Sequence, residues 1–248
     1  MGKSVFVETL ENLSGKDFLH ISGLDLGFYV FVYTSLYLWT YLLQVKAAPL
    51  AAIDINSVAL QKQSELAQTL STMKGFLIFL AVLIIIFTLG GIIGTSYFKG
   101  MIYARMLKKK FNKKELIRFA KSNILWYLGC SAILLLLTFW ARTKIYGPAV
   151  LFLIFLYMIF VTTIYQIVRI NHTPNALKKI INLSTRKFPK FIIPLIWITA
   201  IFLITSFISR IFLYMPQIPA VILSAALYIS FLTWARYYLF NIVKKLIY

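Results

Sequence analysis

The chain has 248 residues, 60% of them hydrophobic and 13% charged, with a net charge of +19 and a mean hydropathy of +0.82. Soluble domains carry about 25% charged residues, so this chain has too little polar surface to cover a water-soluble fold. A charge of +19 would point a soluble protein towards nucleic acid; here the basic residues flank apolar stretches, and no specific nucleic acid is expected as a partner.

Residues 1–25 hold Lys3, Glu8, Glu11, Lys16 and Asp17, and their first 22 residues contain no continuous apolar run, so no cleavable signal peptide is expected. Ser14 and Asp17 have capping-box spacing, with Asp in the Glu position, and Phe18 and Ile21 follow at i and i+3. This predicts a short amphipathic element ahead of the membrane.

A bilayer core about 30 Å thick needs roughly 20 apolar residues. Six uncharged stretches reach or approach that length, and 26–45 is the first. Tyr29, Tyr33, Tyr37 and Tyr41 recur there at i, i+4 and form a stripe, with Thr34 and Thr40 nearby. The stripe has two readings: a polar-aromatic groove for a lipid headgroup or peptide, and hydrogen bonds between helices, the second being favoured. The segment 46–74 has no Gly or Pro between Pro49 and Gly75, and Ala59, Leu66, Leu70 and Met73 keep helical spacing. The second span, 75–98, is therefore expected to project beyond the bilayer. Its Gly90 and Gly94 are a small-xxx-small pair that favours close helix packing.

The segment 99–121 carries Lys108, Lys109, Lys110, Lys113, Lys114 and Arg118, and sets Leu116, Phe119 and Ala120 against its cations. Spans at 122–141 and 145–168 follow; the first holds Cys130, the lone cysteine, which is expected to be a small buried residue and leaves no intramolecular disulfide. In 169–190, Thr173 can cap and Pro174 can open a helix on which Leu177, Ile180, Ile181, Ser184 and Phe188 share one face. Lys178, Lys179, Asn182 and Arg186 take the other face, and Lys187 adds a further cation. Both segments read as interfacial elbows. The last spans are 191–209 and 211–235, parted by Arg210 and a turn near Pro216; Pro194 marks the first turn or a kink of the fifth.

With the N-terminus in the cytoplasm, segments 1–25, 99–121, 169–190 and 236–248 face inward and hold 20 of the 26 Lys and Arg residues. Positive residues stay on the cytoplasmic side, which predicts a multi-pass cell-membrane protein with both termini inside. Trp39 and Trp140 then fall near outer interfaces, and Trp126 and Trp234 near inner ones. The expected architecture is all-α, one polytopic membrane domain over 1–248, six transmembrane helices in three repeats of elbow plus hairpin.

The run Asn175-Ala176-Leu177-Lys178-Lys179 through Ser184-Thr185-Arg186-Lys187-Phe188, and more weakly Phe98 to Leu128, resembles a loose group of six-helix prokaryotic membrane families. That group includes the membrane domain fused to some glycerophosphodiester phosphodiesterases. The resemblance implies an architecture; the chain has no phosphodiesterase domain, so no catalytic residue is implied.

Seven acidic residues are present, and the last 133 residues contain no side-chain carboxylate. Metal-dependent phosphotransfer and paired acid/base catalysis both need clustered carboxylates. His20 and His172 are both expected at the inner face, and no His/Cys cluster has metal spacing. No ionisable residue falls inside the six stretches, which weakens an ion-coupled transporter. The expectation is a non-enzymatic protein without cofactor, a scaffold whose basic face (Lys108–Lys110, Lys113, Lys114, Arg118, Lys178, Lys179, Arg186 and Lys187) meets anionic inner-leaflet lipid. A protein partner or homo-oligomer is the other possible occupant of that face. The alternative is a small transporter or lipid-handling protein.

Overall fold

A computed structural model describes Thr9 and residues 15–51, 63–141, 146–171 and 175–247. Among these residues every regular element is helical. Helix α1 runs Lys16–Ala51, α2 Gln63–Met106, α3 Lys113–Ala141, α4 Gly147–Ile170, α5 Ala176–Ser184, α6 Pro189–Ile211 and α7 Gln217–Ile247. All but α5 are long and apolar enough to cross a bilayer, which makes the chain a multi-pass membrane protein. In hydrocarbon the backbone must satisfy its own hydrogen bonds, so runs of β-branched residues such as Ile84–Ile86 stay helical.

The helix ends follow from local chemistry. A short 3-10 turn, Phe212–Tyr214, closes α6, and Met215 is extended ahead of Pro216, as the residue before proline prefers. Pro189 and Pro148 stand in the first turns of α6 and α4, where the missing N–H does no harm. Pro194 lies inside α6 and is buried, so the helix continues through it.

Two expected elbows are not separate elements. The helix containing Asp17, Phe18 and Ile21 is the beginning of α1 and continues into the span, because Gly23 alone is too weak a breaker, at about 1 kcal/mol relative to Ala. Ser14 lies outside the described residues. The segment 99–121 divides between the last turns of α2 and the first turns of α3, with the break confined to 107–112. There Lys108 adopts a left-handed backbone (φ 53°). Lys109 N–H reaches Ala104 O at 2.9 Å and Lys108 N–H reaches Arg105 O at 2.9 Å, the paired bonds of a Schellman stop. Asn112 restarts the helix, its Oδ1 accepting Glu115 N–H at 3.0 Å. Between stop and start, the Phe111 ring packs against Gly100, where a side chain on α2 would collide with it.

Only α5 is a short separate helix. Thr173 and Pro174 lie outside the described residues, and Asn175 precedes α5 in a left-handed conformation (φ 52°) that asparagine tolerates. Its apolar face is split. Ile180, Leu183 and Ser184 are buried, whereas Leu177 and Ile181 are 65% and 61% exposed.

The chain divides into two compact units, Gly27–Thr95 and the remainder. Within the first, the Trp39 and Phe87 rings meet edge-on at 5.2 Å, Lys46 Nζ lies 5.7 Å from the Phe79 ring, and Phe31 packs against Gly94. A Cβ at Gly94 would collide with that ring, whereas one at Gly90 would meet nothing. Of the expected glycine pair, Gly94 carries the close approach.

In the second unit α3 packs on α4, α4 on α5, and α6 on α7. Its core gathers Ile102 and Tyr103 of α2, Phe119 of α3, Ile164 and Val168 of α4, Ile180 of α5, Phe191 of α6, and Trp234, Tyr238 and Val243 of α7. Trp126 stacks on Tyr165 at 4.3 Å and Trp234 on Tyr238 at 5.3 Å. These are the helix ends next to the basic segments. Farther along, Leu135, Leu136, Phe139, Phe152, Leu153 and Phe207 are exposed, as lipid-facing residues are.

Candidate functional site

Two layers make up the basic end of the second unit. The inner layer is a buried polar network, and its strongest element is an ion pair between Asp25 of α1 and Arg236 of α7. Asp25 is fully buried, and its other oxygen accepts the Thr233 hydroxyl at 2.8 Å. Lys99 of α2 lies within electrostatic reach of both charges. Sequence boundaries set Asp25 just before the first span and Arg236 just after the last, one on each flank of the same interface. That shared level was the available signal; the burial and the pairing, across 211 positions, were not foreseen.

The α3–α4 contact is polar as well. Tyr165 donates to Ser122 O at 2.8 Å, Arg169 Nε to Ser122 Oγ at 2.7 Å, Trp126 Nε1 to Thr162 Oγ1 at 3.0 Å, and Gln166 Nε2 to the Tyr127 hydroxyl at 3.1 Å. Asn123 of α3 donates to Ser96 of α2 at 2.8 Å. Such bonds between membrane helices average about 0.6 kcal/mol each, so together they fix the register of the helix ends rather than dominate stability.

The outer layer is cationic. Lys108, Lys109, Lys110, Lys113, Lys114, Arg118, Lys178 and Arg186 are exposed, and Lys179 and Lys187 are half-buried. Lys187 is engaged internally: its Nζ donates to Leu246 O at 2.7 Å, near the C-terminus of α7, where a cation suits the helix dipole. Lys109 donates to Asn171 Oδ1 at 3.1 Å, and Arg105 pairs with Asp17 at 2.7 Å. Asp17, Arg105, Lys108, Lys109 and Lys110 line a recess of about 410 Å³. A second, apolar recess of about 420 Å³ follows one face of α6 from Ile192 to Leu203; built from one helix, it is surface relief.

No protein-family model, curated protein or solved structure matches this chain.

The remaining sequence candidates are placed differently. Tyr33, Tyr37 and Tyr41 are exposed and make no hydrogen bond among the described residues, so the interhelical bonding expected for this stripe is not formed there. Tyr29 is half-buried with its ring against Phe28. Cys130, expected to be buried, is half-exposed. Among the described residues no three of His, Cys, Asp and Glu converge as a metal site.

Proposed function

We propose that this is a non-enzymatic membrane protein of three helical hairpins, both termini cytoplasmic, whose basic helix ends engage the anionic inner leaflet of the cell membrane. The contacts within each sequential pair of long helices support the hairpins, an arrangement like that of the six-helix families the sequence resembles. One observation carries the lipid reading. Eight of the ten cations named from sequence are exposed around the end of the second unit where its core and polar network lie. Each lysine or arginine near an anionic surface contributes about 1 kcal/mol, so the cluster supplies several kcal/mol. Six spans already anchor the chain, so that energy orients the protein and selects its lipid neighbours.

Lipid retention tests this. Protein carrying Lys113→Gln, Lys114→Gln, Lys178→Gln, Lys179→Gln and Arg186→Gln, extracted in mild detergent, is expected to lose anionic lipid several-fold while staying helical and monodisperse. High salt should act the same way. Unchanged lipid together with loss of a co-purifying protein would replace the lipid reading by a docking site for an acidic partner.

The α3–α4 seam favours a second reading, a small transporter or lipid-handling protein. Asn123 Oδ1 and Gln166 Oε1 are buried there and accept no hydrogen bond from the described residues, leaving acceptors for a polar guest. Substrate-dependent protection of Gln166→Cys from labelling would support it.

A further inference from the structure

The recess between the start of α1 and the turn after α2 is more selective than a charged surface needs to be. Four cations line it, Arg105, Lys108, Lys109 and Lys110, against one carboxylate, Asp17, an excess of three positive charges. Two of the cations are held in place. Asp17 Oδ1 takes Arg105 Nε at 2.8 Å and Nη2 at 2.7 Å, which leaves three guanidinium N–H groups for another acceptor. Lys109 is tied to Asn171 and keeps two of its three donors. The side chains of Lys108 and Lys110 make no hydrogen bond or ion pair among the described residues.

The backbone adds an independent sign. Lys108 occupies the left-handed position of the Schellman stop, where glycine is the unstrained choice. Strain of this kind gathers at ligand sites. Here it keeps a third consecutive ammonium group, Lys108 beside Lys109 and Lys110, at the rim of one recess. At about 410 Å³ the recess lies within the small-ligand range of roughly 300–1,000 Å³ and has room beyond a lone phosphate.

We propose that Asp17, Arg105, Lys108, Lys109 and Lys110 form a binding site for one phosphomonoester, borne by a lipid headgroup or by a soluble small molecule. A monoester carries close to two negative charges at neutral pH and three acceptor oxygens, which matches an excess of three cations and forked donors better than a singly charged diester does. The proposal deepens the lipid reading above and rests on its topology, in which this recess opens to the cytoplasmic headgroup layer.

The full chain is titrated with phosphatidic acid in phosphatidylcholine nanodiscs, with phosphatidylglycerol as the diester control, and in detergent with glycerol 3-phosphate. One saturable monoester site per chain is expected, tighter than any diester binding. Combined Lys108→Gln and Lys110→Gln should weaken it about 25-fold, at about fivefold per lysine. Lys244→Gln with Lys245→Gln removes equal charge from exposed positions outside the recess and should change it less than twofold. Lys108→Gly suits the turn better than lysine, so a loss of affinity in that variant cannot be unfolding; affinity equal to that of the unaltered protein would overturn the site. Saturation by glycerol 3-phosphate at comparable affinity assigns the ligand to the soluble class, and binding only in nanodiscs assigns it to lipid. Equal binding of monoester and diester, with the two double variants losing equally, would overturn the proposal and leave the general lipid reading standing. That reading fails separately, if the five-site variant above retains all its anionic lipid.

Discussion

Asp25→Asn is expected to destabilise the protein by about 3–5 kcal/mol, the usual range when one partner of a buried ion pair is removed. The substitution leaves the Arg236 guanidinium, and the Lys99 ammonium within electrostatic reach of it, without the carboxylate charge. Arg236 cannot shed its proton, and its side chain is only 13% exposed. Arg236→Gln should be milder, at about 1–3 kcal/mol, because Asp25 keeps the Thr233 hydroxyl and the nearby Lys99 charge. The double variant should recover part of the loss, with the two effects non-additive by more than about 1 kcal/mol. Unfolding midpoints in a fixed detergent measure all three. Additive losses, or an arginine variant worse than the aspartate one, would mean that the pair does not join α1 to α7 as described.

The second large effect concerns α5 and depends on the solvent. Ile180→Asp places a carboxylate where only 2% of the residue is exposed, among Leu183 and the α4 core, and should unfold this end of the bundle in detergent and bilayer alike. Leu177→Asp and Ile181→Asp act on the exposed half of the same helix. If that half rests in acyl chains, each should be tolerated in detergent yet penalised in a bilayer by up to about 3 kcal/mol, less where the helix lies shallow. Comparing the variants' stability in micelles and in nanodiscs reads the difference. Equal behaviour in both media would place Leu177 and Ile181 in water or against protein.

The contrast within α5 shows what the sequence could and could not convey. Helical spacing put Leu177, Ile180, Ile181 and Ser184 on one face, and the helix formed; periodicity reports a face, but not which edge of it another helix covers. The six spans were legible because bilayer thickness imposes a length, and no tertiary contact is needed to satisfy it. The helix expected at the N-terminus forms there but is continuous with the first span, because amphipathic spacing before a span looks the same whether or not a break follows, and Gly23 makes none. The Asp25–Arg236 pair was out of reach for a related reason: each residue alone is an ordinary flanking charge, and the partnership is tertiary. The recess at Lys108 was half visible, as a run of three lysines. Its geometry depends on a left-handed turn at a residue type that does not announce one.

On the proposed topology the basic ends of these helices share one side of the membrane, the cytoplasmic side. On a Cys130→Ala background, single cysteines at Lys114 and Lys178, both exposed, probe the basic ends. Cysteines at Tyr146 and Tyr214, 79% and 93% exposed, probe the turns before α4 and before α7. With a membrane-impermeant maleimide on intact cells, labelling is expected at positions 146 and 214 alone, and at 114 and 178 only after the membrane is opened. Labelling of 178 and 214 from the same side would contradict the six-span arrangement and, with it, the placement of the cationic layer on the inner leaflet.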